Sequence, residues 1–176
     1  MTTGSDPSLR IEPARLRDAT HTLSLHRTVL EEGRWFVARP EELWTTPTLR
    51  ERDIRKLGES DNGCFLVARL SEVPVAGFLT LTGGLWSRSR HVGRIELMVG
   101  ARYRGRGIGK ALLHEAITFA ERSPILTKLA LAVFADNDRA IGLYRSLGFV
   151  EEGRRRGEYR EADGSRRDDL LMARAV

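Results

Sequence analysis

A mixed α/β sheet in one domain is the architecture this sequence predicts, and three observations predict it. Helical and strand periods of apolar residues alternate in the order β-α-α-β-β-β-α-β-α-β-β. Cys64 to Leu70 and Val75 to Leu81 are apolar runs joined around Glu72-Val73-Pro74, the pattern of a hairpin. Leu129 to Phe134 is a continuous apolar run, as in a strand covered on both faces.

Each element has a local reason. Leu9 to Glu12 is a short first strand, ended by Pro13. Asp18 to Glu32 is helical, with Leu23, His26 and Leu30 on one face, Leu25 and Val29 beside it, and Gly33 as its stop. Arg34 to Pro47 is loop-like and carries Trp35, Phe36 and Trp44, aromatics that either wall a binding site or pin the loop to the core. Thr48 to Glu59 is a second helix, ended by Asp61-Asn62-Gly63. After the hairpin, Gly83-Gly84 turns the chain into a strand from His91 to Val99. Ile108, Ala111, Leu112, Ala116 and Phe119 then make the buried face of another helix. Asp138 to Leu147 is a helix with Ala140, Leu143, Tyr144 and Leu147 in register and Gly148 as its stop. Two last strands, Phe149 to Tyr159 and Arg167 to Ala173, flank the hairpin dipeptide Asp163-Gly164. The polar start predicts a disordered tail over residues 1–8 before a single domain over residues 9–176.

Composition narrows the class. With 41% hydrophobic and 30% charged residues the chain is a globular protein rather than a disordered one. At 176 residues it buries enough surface to fold without disulfide or metal. No run approaches the ~18 apolar residues of a membrane span, and no apolar signal core opens the chain, so a cytoplasmic location away from membranes is expected. The single cysteine, Cys64, has no CxxC partner and is expected as a buried strand thiol. The net charge of +5 is led by arginine, clustered at Arg102 to Lys110, Arg154 to Arg156 and Arg166-Arg167. No zinc spacing and no RNA-binding aromatic motif accompanies these clusters, so no nucleic-acid partner is expected and an anionic cofactor is preferred.

That preference rests on Arg104-Gly105-Arg106-Gly107-Ile108-Gly109, between the strand ending at Val99 and the helix running on from Lys110. A glycine-rich turn that opens a helix offers unpaired N–H groups and the positive end of the helix dipole, a site for phosphate. A P-loop needs Gly where Arg104 stands and Ser or Thr where Ala111 stands. A dinucleotide fold needs G-x-G-x-x-G after a first strand, whereas these glycines sit at 105, 107 and 109, late in the chain. The spacing [QR]-x-x-G-x-[GA] is met by Arg104, Gly107 and Gly109.

With a second segment, Asn137-Asp138-Arg139-Ala140-Ile141-Gly142-Leu143-Tyr144-Arg145-Ser146-Leu147-Gly148-Phe149, the chain resembles the GNAT superfamily of acyl-CoA-dependent N-acetyltransferases. The segment is similar to that family's N-x-x-A-x-x-L-Y-x-x-x-G-F helix and strand. The ending after Glu152-Gly153 looks most like members that acetylate amino acids or related small amines. The resemblance implies a mostly antiparallel central sheet with flanking helices, splayed between its two central strands. It implies acetyl-CoA as cosubstrate, with no metal, a small amine as acceptor, and a homodimer. Backbone amides of Arg104, Gly105, Arg106, Gly107, Ile108 and Gly109 would hold the pyrophosphate, with charge added by Arg102, Arg104, Arg106 and Lys110. The backbone of Leu97, Met98 and Val99 would pair with the pantetheine arm, one of its N–H groups facing the oxyanion, and Asn137 would contact the same arm. Asn137 also fits a helix N-cap, which is compatible. Periodicity alone makes Tyr144 a core tyrosine with a hydroxyl partner. The resemblance makes it the general acid for the departing thiolate.

A protonated amine cannot attack a thioester, so a base is required. Glu96 is the only acid of an apolar strand and the first candidate; an exposed position or an ion pair with Arg94 is the structural alternative. Glu31 or Glu32, beside Trp35 and Phe36, are candidates for binding the amine. His21, His26, His91 and His114 lack a second catalytic partner. Protein N-terminal or lysine acetylation, and a non-enzymatic acyl-CoA sensor, remain as alternative functions.

Overall fold

The computed structural model describes residues 8–176, so the tail expected over residues 1–8 lies outside the described residues except for Ser8. Among the described residues seven strands form one sheet: β1 (Arg10–Pro13), β2 (Cys64–Leu70), β3 (Val73–Gly83), β4 (Val92–Val99), β5 (Lys128–Phe134), β6 (Val150–Arg160) and β7 (Arg166–Ala175), in spatial order β1-β2-β3-β4-β5-β7-β6. Four helices flank it: α1 (Ala19–Glu31), α2 (Pro47–Gly58), α3 (Ile108–Arg122) and α4 (Asp138–Ser146). Element order follows the apolar pattern, with boundaries unchanged or moved by one or two residues.

The helix ends are built from local chemistry. Thr46 caps α2 by accepting from the Leu49 N–H at 3.2 Å, with Pro47 at the first helical position, where its missing donor costs nothing. Asn137 caps α4 by accepting from the Ala140 N–H at 3.2 Å, so the structural reading of Asn137 holds. Two apolar layers then sit on the two sheet faces. β2 alternates between them: Leu66 and Ala68 join the α3 side with Leu79, Leu112, Ala116 and Leu129, while Phe65 and Val67 join the α1 and α2 side with Phe78, Met98, Val29 and Ile54. Cys64 is buried as expected, and burial pushes its thiol up to about 12, so it is neutral and unreactive at physiological pH.

Only one junction in the sheet is parallel. β4 and β5 pair through Val92↔Lys128, Gly93↔Leu129 and Arg94↔Ala130, and then part. β4 keeps its antiparallel ladder with β3 throughout, so Ile95, Leu97 and Val99 turn backbone groups to the open side, where the Val99 carbonyl accepts from Arg104 Nε. β5 departs from expectation here. Its run is not covered on both faces: Ala132 is exposed and Ala130 half-buried, both facing the gap, while Leu129, Leu131 and Val133 are buried. Alanine is apolar enough to continue the pattern and small enough to leave space. β7 inserts between β5 and β6, seven residue pairs joining it to β5.

A buried ion pair locks β1 and β2 to the start of α1. Asp18 accepts from Arg69 Nη1 at 3.0 Å and Nη2 at 2.8 Å, and from the Arg15 N–H at 2.7 Å. Burial raises the Asp18 carboxyl, but these hydrogen bonds and the Arg69 charge outweigh it and hold the group below its ordinary 3.8. An acid whose folded pKa is lowered adds stability above the unfolded pKa and loses it as pH falls through the folded one. Asp18→Asn should therefore cost about 2 kcal/mol, because it removes the more buried of the two carboxylates on Arg69 and leaves Glu12, 3.0 Å from Nε, as its one charge partner, and lower Tm by roughly 4–8 °C at pH 7. In thermal melts the difference from wild type should shrink as pH drops below 4.

Candidate active site

Where β4 and β5 part, a cavity of about 1190 Å³ opens. One end is formed by the loop before α3. Gly105 and Gly107 have φ of +86° and +78°, a region in which other residues are strained, and Gly107 is the N-cap of α3. Among the described residues, no N–H from Gly105 to Lys110 finds a protein acceptor; the first bond beyond them runs from Ala111 to the Gly107 carbonyl. Six bare amides around a helix start, five of them on residues that line the cavity, fit a pyrophosphate. A Cβ built on Gly109 would meet Leu143 Cδ2 at 3.3 Å and Leu97 Cδ2 at 3.6 Å, so a small residue lets α3 close on α4 and β4 there.

The charges near this end differ from expectation. Arg104 is occupied: its Nε donates to the Val99 carbonyl at 2.9 Å, and its two terminal nitrogens grip Glu32 at 2.6 and 2.7 Å. This fork ties the loop to the end of α1 and removes Glu32 from the acceptor role proposed for it. Glu31 is exposed on α1 and does not line the cavity, so it is not brought to the site either. Arg102 and Arg106 are exposed and also outside the lining, whereas Lys110 lines it. Arg139, missed in the sequence, lines it too, with Nη2 3.7 Å from where a Cβ on Gly105 would stand. Neither Lys110 nor Arg139 makes an ion pair among the described residues.

Along the cavity lie Leu97, Val99 and Asn137, with Glu96 and Tyr144. Met98, expected at the pantetheine arm, is not brought there: its side chain points into the layer under α1 and α2, and the ladder turns its N–H and C=O toward β3, so only Leu97 and Val99 direct backbone groups to the open edge. The Tyr144 ring is buried against Phe149, 6.0 Å between centroids. Its hydroxyl makes no hydrogen bond to a described protein group, yet it is not among the sealed, unpartnered atoms, so it reaches the cavity. The partner expected for a core tyrosine is therefore missing. Burial pushes the phenol up to about 12, which keeps it protonated. Glu96 makes no ion pair with Arg94. Its surface is open to the cavity, but protein encloses the carboxyl on most sides; that burial raises its pKa, opposed by the Arg50 charge. Surface area alone makes Glu96 exposed. The pKa direction follows the surrounding protein mass, which is what sets the desolvation of a carboxylate in a walled cavity.

The far end is walled by Trp35 and Phe36, as expected, and by residues that local sequence did not reveal: Arg34, Arg155, Tyr159 and Asp169. Asp169 is 3% exposed; burial raises its pKa, against a hydrogen bond from Arg155 Nη2 at 2.5 Å. Arg167 stacks 3.7 Å over Phe134 and donates to the Arg34 carbonyl at 2.7 Å, pinning the aromatic loop to β7. Arg34 lies 4.5 Å over Trp35. Trp44 is 85% exposed and takes no part.

A sheet splayed at its single parallel junction, with bare amides at a helix start beside the gap, is the fold of an N-acetyltransferase of the GNAT type. The model of the acetyltransferase (GNAT) family matches residues 30–149, and the chain belongs to that family. A GNAT-family acetyltransferase structure from Streptococcus pneumoniae is 32% identical, covers 96% of this chain and 99% of its own, and superposes with a TM-score of 0.91. The L-amino acid N-acetyltransferase AaaT of Escherichia coli K12 is 34% identical over 94 residues, 50% of this chain and 58% of that protein. The [ribosomal protein bS18]-alanine N-acetyltransferase of the same strain is 45% identical over 71 residues, 40% of this chain and 47% of that one. The chain thus spans about half the length of these curated relatives. No helix among the described residues is long and apolar enough to cross a membrane.

Proposed function

We propose that this protein is an acetyl-CoA-dependent N-acetyltransferase that moves the acetyl group to a primary amine of a small molecule by direct attack on the thioester. One observation carries the reading: the bare amides of the α3 loop, the Tyr144 hydroxyl and the Glu96 carboxyl all line one cavity. When bound, acetyl-CoA supplies an acyl group activated by a thiol leaving group. Residues Gly105 to Lys110 hold its pyrophosphate, with Lys110 and Arg139 as counter-charges. The outward backbone groups of Leu97 and the Val99 N–H pair with the pantetheine arm, and one of these N–H groups faces the carbonyl oxygen.

Glu96 takes one proton from the protonated amine, whose freed nitrogen forms the new C–N bond as the C–S bond breaks. Tyr144 gives its proton to the departing sulfur and regains one from the acylated nitrogen, which sheds its second proton. Trp35, Phe36 and Tyr159 wall the acceptor. Because Arg167 pins the Trp35 loop to β7, the acceptor end is roofed, which favours a small amine over a long peptide. The bS18-alanine relative favours a second reading, acetylation of a protein N-terminus.

Free-thiol release from acetyl-CoA, measured against amino acids, polyamines, aminoglycosides and short peptides, separates the two. Amine-dependent release with a small molecule is the expected result. Release with peptides alone makes the second reading correct, and binding without amine-dependent release makes the protein an acyl-CoA sensor. Gly107→Ala places a Cβ at φ +78°, costing about 1–2 kcal/mol. If the loop shifts to relieve that strain, titration calorimetry should show acetyl-CoA affinity weakened roughly tenfold, with Tm lowered by a few degrees.

A further inference from the structure

The layer between the sheet and the helices α1 and α2 holds a cation where apolar packing dominates. Arg50 of α2 is 5% exposed and surrounded by the cluster of Phe65, Phe78, Ile54 and Met98. Its guanidinium carbon lies 5.7 Å from the Phe65 ring centre and 5.5 Å from that of Phe78. Its Nη2 is 2.9 Å from His26 Nδ1 on α1. Its Nε is the only side-chain polar atom among the described residues that is both sealed and unpartnered. No carboxylate lies within 4.0 Å of it. A buried ion without a contact partner is costly, so the position needs a reason beyond packing.

The sheet register supplies one. Phe78 faces Met98 and Thr80 faces Glu96 across β3 and β4, so Glu96 stands on the same sheet face as Met98 and Phe78, the face that Arg50 covers. Two acids feel the Arg50 charge, Glu96 and Asp53, and Asp53 lies on Arg50's own helix. We infer that Arg50 is a positioning residue for Glu96, a buried guanidinium whose field favours the charged base while leaving both base oxygens free for the amine. A contact ion pair would occupy those oxygens and weaken the base; an uncharged layer would leave the upward effect of burial unopposed. The inference rests on the reading of Glu96 as the base.

The surrounding charges agree with this assignment. Burial lowers His26 to about 4, with the Arg50 charge acting the same way, so at neutral pH His26 is an uncharged ring whose Nδ1 accepts from Arg50 and holds it in place. Arg94 follows the strand on the same face, Tyr144 lines the cavity with Glu96, and Arg34, Arg155 and Asp169 stand at its far end. Of all these, Arg50 alone opposes the effect of burial on Glu96.

The test is the pH dependence of kcat/KM in Arg50→Met, Arg50→Gln and Arg50→Lys, with Glu96→Gln as control and circular dichroism to establish folding. Wild type should show an acid limb that vanishes in Glu96→Gln. Arg50→Met and Arg50→Gln should move that limb upward by about one pH unit or more, which lowers kcat/KM about tenfold at pH values below the wild-type limb and less above it. Arg50→Lys, which keeps the charge on a shorter stem, should move it less. A purely structural arginine would lower Tm without moving the limb. An unmoved limb in every variant that folds overturns the inference. A limb that survives in Glu96→Gln instead overturns the base assignment beneath it.

Discussion

Glu96→Gln is expected to lower kcat/KM at pH 7 by at least a hundredfold and to flatten the acid side of the pH–rate profile. The acceptor amine of a lysine-like substrate has a pKa of ~10.4 and arrives protonated, so the proton must pass to a base before the nitrogen can attack. General-base catalysis contributes about 10²–10⁴, and the amide of Gln is isosteric but cannot accept that proton. Burial holds the Glu96 carboxyl above its ordinary 4.5, so the base charges later in a rising pH series than a surface glutamate does. Activity in wild type should therefore climb with pH through a limb above 4.5, and the mutant should lack it. Steady-state rates from pH 5 to 9 check this. Identical profiles for the two proteins would remove Glu96 from the proton path.

Tyr144→Phe should lower kcat at least tenfold with little change in KM and no loss of fold. Phe fills the same buried space against Phe149, and the hydroxyl has no partner to lose among the described residues. The expected loss sits at the low end of general-acid effects because a thiol of pKa ~8.5 already leaves readily. With the phenol pushed up to about 12, Tyr144 stays protonated across the working range and adds no alkaline limb below about pH 11. Unchanged turnover would make Tyr144 a wall of the cavity and nothing more.

Much of this architecture was legible because it is written in local signals. The cap at Asn137, the stop at Gly33 and the turn glycines of the α3 loop each act within a few residues of themselves. So did the apolar alternation that placed Glu96 and Tyr144 on elements beside the cavity. What stayed hidden depends on which strands meet. Arg104 and Glu32 are 72 residues apart, and only the folded chain shows that each cancels the role expected of the other. Asp169 and Arg155 belong to a hairpin that was legible, but its order in the sheet, with β7 inside, was not; that order turns them toward the cavity. Arg50 sits in a helix crowded with charge, Arg52, Asp53, Arg55 and Lys56, and nothing local distinguishes the buried one. β5 misled for a different reason: alanine counts as apolar in a pattern whether it packs or lines a gap.

The central claim is that acetyl-CoA lies in the gap between β4 and β5, its pyrophosphate on the amides before α3. Amide hydrogen exchange of the full chain, with and without saturating acetyl-CoA, tests it most directly. Those amides donate to no acceptor among the described residues, so ligand bonds should slow their exchange strongly. The account predicts protection concentrated at Leu97, Val99 and residues 105–110, with β1 and β2 unchanged. Unaltered exchange at 105–110 under saturation, or protection confined to β6 and β7, would contradict it.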